Sequence, residues 1–156
     1  MTDTLALDQQ VCFALYAANR AVTARYRPLL AELGVTYPQY LVLLVLWESG
    51  MLGEPVTVST LGERLRLDSG TLTPLLKRLQ AHGLVRRKRS VDDERVVEIT
   101  LTEAGQALQR QARAIPGRLL CDSGLSPGRV AALRDELKAL LSRLDESDQP
   151  SAQSPG

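Results

Sequence analysis

Residues 68–101 read DSGTLTPLLKRLQAHGLVRRKRSVDDERVVEITL, and the fold turns on how this stretch is parsed. Asp68 has a side chain of the type that caps a helix start. Gly83 readily takes the left-handed backbone of a helix end, so the spacing predicts a helix from Asp68 to about Ala81. Pro74 lies inside that helix, and because proline lacks a backbone donor a slight bend is expected. Leu84–Lys88 and Val96–Leu101 follow as strand-like runs, with Ser90–Asp93 between them as the hairpin turn. Upstream, a loop marked by Gly50, Gly53 and Pro55 leads to Ser59, which is placed to cap a short helix reaching about Leu65. Short helix, tight turn, second helix and two-stranded hairpin make a winged helix-turn-helix, whose second helix enters the DNA major groove.

Helices flank this module on both sides. Val11, Leu15, Ala18, Val22, Tyr26, Leu29 and Leu33 recur at steps of three or four, so a long amphipathic helix is expected from about Leu7 to about Leu33, capped by Asp8 and ended by Gly34. Thr36 with Gln39 forms a capping box, and Val35 and Tyr40 occupy the staple positions around it. Tyr40–Trp47 is apolar nearly all round and should be buried. On the far side, Thr102 is predicted to cap a helix continuing to about Leu120. Ser126-Pro127 starts a last helix to about Leu144. The Ser/Pro/Gln-rich stretch 147–156 reads as a disordered tail. The expected fold class is mainly α with a small β-wing. Residues 1–35 and 103–146 form a helical dimerisation region, 36–102 the DNA-binding region, and the whole is one structural domain. Each terminal helix needs something to cover its apolar face.

The chain has 156 residues, of which 44% are hydrophobic and 24% charged, as expected for one folded domain. The net charge of +1 excludes a uniformly basic nucleic-acid binder but not a local basic patch. No secretory signal is visible in residues 1–10, and the longest apolar run, Tyr40–Trp47, falls far short of the ~20 residues of a membrane span. A soluble, cytoplasmic protein is the expectation. Cys12 and Cys121 are too few for a disulfide scaffold, and with the lone His82 they complete no metal site, so neither metal nor cofactor is expected.

Charge supports the DNA-binding reading. Between Thr71 and Val91 there is no acidic residue, but there are Lys77, Arg78, Arg86, Arg87, Lys88 and Arg89. Cations gathered on one part of a near-neutral chain are the footprint of phosphate binding. Ser69, Gly70, Thr71 and Thr73 at the front of the second helix are small enough to approach phosphates and base edges. Arg95 at the hairpin tip is suited to a narrow minor groove, with Asp93 placed to orient its guanidinium as a bidentate pair. A charge run taken alone is more often a solvated face; it is the helix order and the wing together that select DNA.

All six aromatic residues, Phe13, Tyr16, Tyr26, Tyr37, Tyr40 and Trp47, fall in the first third of the chain, with Cys12 at the edge of the cluster. Cys12 is expected in the first turn of its helix, where the dipole favours a thiolate, the reactive form. Tyr16 and Tyr26 share its face, but Tyr26 lies fourteen residues on, roughly 21 Å along a straight helix. Cys12 could meet Tyr26 only across a second subunit. A small buried hydrophobe is the competing reading of Cys12, and ordinary core that of the tyrosines.

The stretch 68–79, the wing Asp93-Glu94-Arg95 and the following Leu101-Thr102-Glu103-Ala104-Gly105 resemble the MarR family of regulators over about residues 5–144. The segments 7–16 (LDQQVCFALY) and 34–41 (GVTYPQYL) resemble its OhrR branch, the repressors that sense organic hydroperoxides. The resemblance implies an obligate homodimer on an inverted-repeat operator, and oxidation of Cys12 by organic hydroperoxide. It implies hydrogen bonds from Tyr26 and Tyr37 to the Cys12 thiolate, with Tyr16 lining the pocket. It also implies the two-cysteine type, in which Cys121 of the other subunit resolves the sulfenic acid. Two alternatives stay open: a repressor released by a phenolic ligand, and a thiol peroxidase. The absence of an Arg or acid–base partner near Cys12 in sequence speaks against the second.

Overall fold

The computed structural model describes residues 4–121 and 123–148. Its first helix does not start where Asp8 would cap it. Leu7–Gln9 forms a single 3-10 turn, and α1 (Val11–Ala31) begins after Gln10, which caps it without a side-chain bond. Cys12 is therefore the second residue of α1. Gly34, at φ 70°, takes the left-handed conformation that ends the helix, and the Val35 N–H closes back onto Leu30 O at 3.2 Å.

The capping box forms as read. Thr36 N–H donates to Gln39 Oε1 at 2.9 Å and Gln39 N–H to Thr36 Oγ1 at 3.4 Å, starting α2 (Tyr37–Leu52). Tyr40, Val42, Leu43, Val45, Leu46 and Trp47 are buried, so α2 is the central helix of the core, although Leu44 stays exposed. Gly50 belongs to α2 rather than to the loop, and Gly53 ends the helix at φ 70°.

Next comes β1 (Val56–Thr57), a strand the sequence did not announce, which exists only through pairing Val56 with Ile99 and Thr57 with Glu98. It moves the next cap. Thr57, in extended conformation at the strand end, accepts from Thr60 N at 3.1 Å and starts α3 (Val58–Leu65), so Ser59 is inside the helix. Asp68 caps α4 (Ser69–Ala81) through Thr71 N at 2.7 Å, and the helix runs on through Pro74. β2 (Val85–Arg89) and β3 (Val97–Leu101) form the antiparallel hairpin, and the sheet order is β1-β3-β2.

Thr102 caps α5 through Gly105 N at 3.1 Å, but α5 (Glu103–Ala112) stops short of Leu120. Pro116 is the cause. It has no N–H to give and its ring conflicts with the carbonyl four residues back, that of Ala112, so the chain turns and restarts as α6 (Ile115–Leu120). The first unit of the chain ends at Leu119 and the second begins at Leu120. In the second, Ser126 Oγ accepts from Arg129 N at 3.3 Å at the start of α7 (Pro127–Asp148). Ser147 and Asp148 of the expected tail are thus helical, and the remainder of that tail lies outside the described residues, as does Asp122.

One apolar core joins α2, α3, α4 and the sheet: Leu43, Leu61, Leu72, Leu76, Leu79, Val85 and Ile99 are all nearly inaccessible. Burying each such side chain stabilises the fold by about 1.5–3 kcal/mol, so α4 and the wing are held rigidly to the helix that carries Tyr37 and Tyr40. Among the described residues two apolar faces stand exposed. Val11, Phe13, Tyr16 and Val22 of α1 are exposed, and so are Leu133, Leu137, Leu140, Leu141 and Leu144 of α7.

Candidate functional site

The turn between α3 and α4 is tight because Arg66 takes a left-handed conformation at φ 57° and the Leu67 N–H bonds Gly62 O at 3.0 Å. α4 then turns its leucines inward and leaves Ser69, Gly70, Thr71, Lys77 and Arg78 exposed, with Thr73 half-buried. Asp68 spends its carboxylate on the helix end. Hydrogen bonds from the Thr71 backbone and then its hydroxyl hold the Asp68 carboxyl below its usual range.

On β2 the side chains alternate. Arg86 and Lys88 project from one face; Arg87 and Arg89 lie on the other, the face of buried Val85. Arg89 is tied to the hairpin turn by a bond from Nη1 to Glu94 O at 3.0 Å. Arg87 is half-buried, and its Nε is a buried donor with no hydrogen-bond partner among the described residues. It lines a groove of about 760 Å³ between α3, α4 and the wing, together with Ser59, Glu63, Ser69, Thr73 and Arg95. Arg95 does not make the expected bidentate pair. Asp93 Oδ1 accepts from the Arg95 backbone N–H at 3.0 Å, and the guanidinium Nε is 3.8 Å away. The carboxylate shapes the turn, while the Arg95 side chain is 94% exposed and free to reach.

The second constellation is aromatic. Tyr26 of α1 and Tyr37 of α2 have ring centroids 4.6 Å apart, and Tyr40 lies 5.8 Å from Tyr26. Burial, with the neighbouring Tyr37 and Tyr40 phenols, pushes the Tyr26 pKa up to about 12. It therefore remains a neutral hydroxyl donor at any physiological pH. Tyr16 is not in this cluster. It is exposed and engaged by Arg20, whose Nη1 bonds its hydroxyl at 3.2 Å and whose guanidinium sits 5.5 Å above its ring. Cys12 is exposed near the opposite end of α1 from Tyr26. Cys121 is exposed just beyond α6, and no disulfide joins it to Cys12 within the chain.

Two features escaped the sequence reading. The buried Trp47 indole donates from Nε1 to Gly105 O at 3.0 Å, and Arg118 forms a two-pronged bond with Glu32 at 2.7 and 3.0 Å. Both join residues more than fifty positions apart, a separation at which no local signal exists. The aromatic density around Trp47 was visible, but not its partner.

A tight helix-turn-helix with an exposed second helix and a cationic wing defines the winged helix-turn-helix class of transcriptional regulators. Residues 24–111 match the family model described as transcriptional regulator SarA/Rot. The chain is 49% identical over 146 residues to the organic hydroperoxide resistance transcriptional regulator of Bacillus subtilis (strain 168), spanning 94% of this chain and 97% of that protein. Among solved structures it is similar to AbfR of Staphylococcus epidermidis. The reduced, DNA-bound form has a TM-score of 0.69 and 39% identity, covering 88% of this chain and 94% of the other. The disulfide-formed AbfR has a TM-score of 0.65 and 38% identity, covering 90% and 92%. A MarR mutant of E. coli complexed with operator DNA matches at a TM-score of 0.71 and 27% identity over 82% and 91% of the two chains. This protein belongs to the SarA/Rot transcriptional regulators and, among MarR-type proteins, to the branch of the organic hydroperoxide resistance regulators. It is accordingly a regulator and not an enzyme.

Proposed function

We propose that this regulator is a redox-responsive repressor. As a reduced homodimer it binds double-stranded operator DNA with inverted-repeat symmetry, α4 entering the major groove and Arg95 the adjoining minor groove. Ser69, Gly70, Thr71 and Thr73 approach the bases. Lys77, Arg78, Arg86, Arg87, Lys88 and Arg89 neutralise phosphates, and Asp68 fixes the helix start. An organic hydroperoxide then oxidises Cys12. The thiolate sulfur attacks the peroxide, the O–O bond breaks, and with a proton the products are the Cys12 sulfenic acid and an alcohol. The Cys121 thiol of the partner displaces the sulfenic oxygen as water, leaving an intersubunit disulfide. The new bond takes the two reading heads out of register with their half-sites, and a thiol reductant resets the switch.

One observation carries this reading. Cys12 is exposed in the first turn of α1, while the paired Tyr26 and Tyr37 hydroxyls lie near the other end of that helix, roughly 21 Å along it. Tyr26 and Tyr37 serve that sulfur only if a second copy's α1 crosses the first. The uncovered apolar faces of α1 and α7 suit the dimer that this requires. AbfR, a relative solved both reduced on DNA and with a disulfide formed, supports the reading.

A second reading has one observation in its favour. Tyr40, Leu44, Trp47, Met51, Ala112 and Pro116 line a cavity of about 280 Å³ with Glu48 and Arg113 beside it, a place for a phenolic ligand. Its volume is just under the ~300–1,000 Å³ usual for such sites, so the redox reading is preferred.

Peptide mass analysis after one equivalent of cumene hydroperoxide tests the chemistry. The proposal expects a Cys12–Cys121 cross-linked dimer in wild type and a stable sulfenic acid in Cys121→Ser. A Cys12 that stays reduced in both would refute it.

A further inference from the structure

Trp47 is the chain's one tryptophan, and it is bonded on one side and packed on the other. On α2 it presents its ring edge-on to Tyr40, with centroids 6.4 Å apart. Tyr40 in turn lies 5.8 Å from Tyr26, and Tyr26 4.6 Å from Tyr37. The ring contacts therefore run without a gap from the proposed thiolate partners to the indole. On its other side the indole N–H holds Gly105 O in the first turn of α5.

Gly105 is the point where α5 meets the end of the recognition helix. A Cβ there would collide with Leu84 O, so the two backbones are in direct contact with no side chain between them. Thr102, which caps α5 through the Gly105 N–H, also donates its own N–H to Leu84 O at 3.1 Å and its hydroxyl to Gly83 O at 2.5 Å. Gly83 and Leu84 are the residues by which α4 turns into β2.

We infer that Trp47 is the positioning residue that transmits the oxidation state of the cysteine site to the recognition helix, through its bond to Gly105 and the contact of Gly105 with the α4–β2 turn. The inference rests on the redox-repressor reading and adds the route by which that signal reaches DNA. The physical basis is stiffness. A buried indole N–H that leaves its acceptor is left without a partner, so a displaced Trp47 carries the α5 start with it. α5 has no slack against Leu84, and close-packed elements move between discrete arrangements and do not deform gradually.

Because Trp47 is the one tryptophan, the test begins with wild-type protein free of DNA. One equivalent of cumene hydroperoxide is added while Cys12 oxidation is followed by mass spectrometry and Trp47 emission is recorded, with Cys12→Ser as the control. The inference expects an emission shift that tracks Cys12 oxidation, reverses with dithiothreitol and is absent in the control. In a second arm, Trp47→Phe keeps an aromatic ring but removes the N–H. Its reduced form should bind operator within about threefold of wild type. Its oxidation-induced loss of affinity should be smaller by about 5- to 150-fold, the usual range for coupling between two sites. If Cys12 does not oxidise, the redox reading fails and the relay with it. If Cys12 oxidises but emission does not move, or Trp47→Phe releases DNA as fully as wild type, the redox reading survives and the relay is wrong. Should Trp47→Phe not fold, the wild-type emission alone decides.

Discussion

Replacing Gly105 with alanine is expected to cost about 2 kcal/mol of folding stability, most of it from overpacking. Gly105 is buried against the turn from α4 to β2. A Cβ at this position lies well inside van der Waals contact with Leu84 O and 3.1 Å from both the Leu84 carbonyl carbon and Leu101 Cδ2. The main obstacle is backbone, which cannot swing aside as the end of a long side chain can. Moving the Leu84 peptide stretches its 3.1 Å bond from Thr102 N and disturbs the Gly83 carbonyl held by the Thr102 hydroxyl. Overpacking of this kind costs ~1–3 kcal/mol, and one weakened hydrogen bond adds about 1. The better helix propensity of alanine returns at most about 1 kcal/mol. Gly117→Ala is the matched control, since Gly117 lies in α6 with open space beyond its own helix where a Cβ would stand, and it should be neutral or stabilising. Urea unfolding followed by Trp47 emission, at equal protein concentration because association shifts apparent stability, reads the difference. At the usual ~1–3 kcal/mol per molar urea, the Gly105→Ala midpoint should fall by roughly 1 M. Coincident midpoints for Gly105→Ala and wild type, or an equal fall for Gly117→Ala, would refute the reasoning.

Thr36→Ala removes the acceptor of the capping box and should destabilise the protein by about 1 kcal/mol, read as a lower thermal midpoint. Asp68 should contribute pH-dependent stability. Its folded pKa is lowered, so the contribution is present above the ordinary aspartate pKa of about 4 and is lost as pH falls through the lowered value. The stability gap between wild type and Asp68→Asn should therefore be widest near neutrality and shrink in acid, and a gap constant with pH would contradict the assignment. Ultraviolet titration should show a tyrosine ionising near 12 in wild type that is missing from Tyr26→Phe.

What the sequence made legible was local. The Thr36–Gln39 box and the Asp68 cap need only residues three apart, and both form as the residue types predict. β1 was not legible, because two residues carry no periodicity and Val56 is a strand only by pairing with Ile99. That pairing also explains the misplaced cap, since nothing local separates the hydroxyl of Thr57 from that of Ser59. The break before α6 could have been read from Pro116, given its conflict with the Ala112 carbonyl. At the site, charge and helix order located the reading head, but not the use of Asp93 for the turn instead of for the guanidinium. Helical spacing placed Tyr16 and Tyr26 on one face, whereas tertiary packing joins Tyr26 to Tyr37 and Tyr40 and leaves Tyr16 to Arg20.

The central claim is that Cys12 governs DNA binding. Operator affinity measured by fluorescence anisotropy tests it most directly, at one fixed salt concentration because phosphate contacts make affinity salt-dependent. Wild type and Cys12→Ser are compared before cumene hydroperoxide, after it, and after dithiothreitol. The account predicts that wild type loses several-hundred-fold in affinity, about 3–4 kcal/mol, and regains it with dithiothreitol, while Cys12→Ser keeps its DNA throughout. Release of both proteins by the oxidant, or of neither, would contradict it.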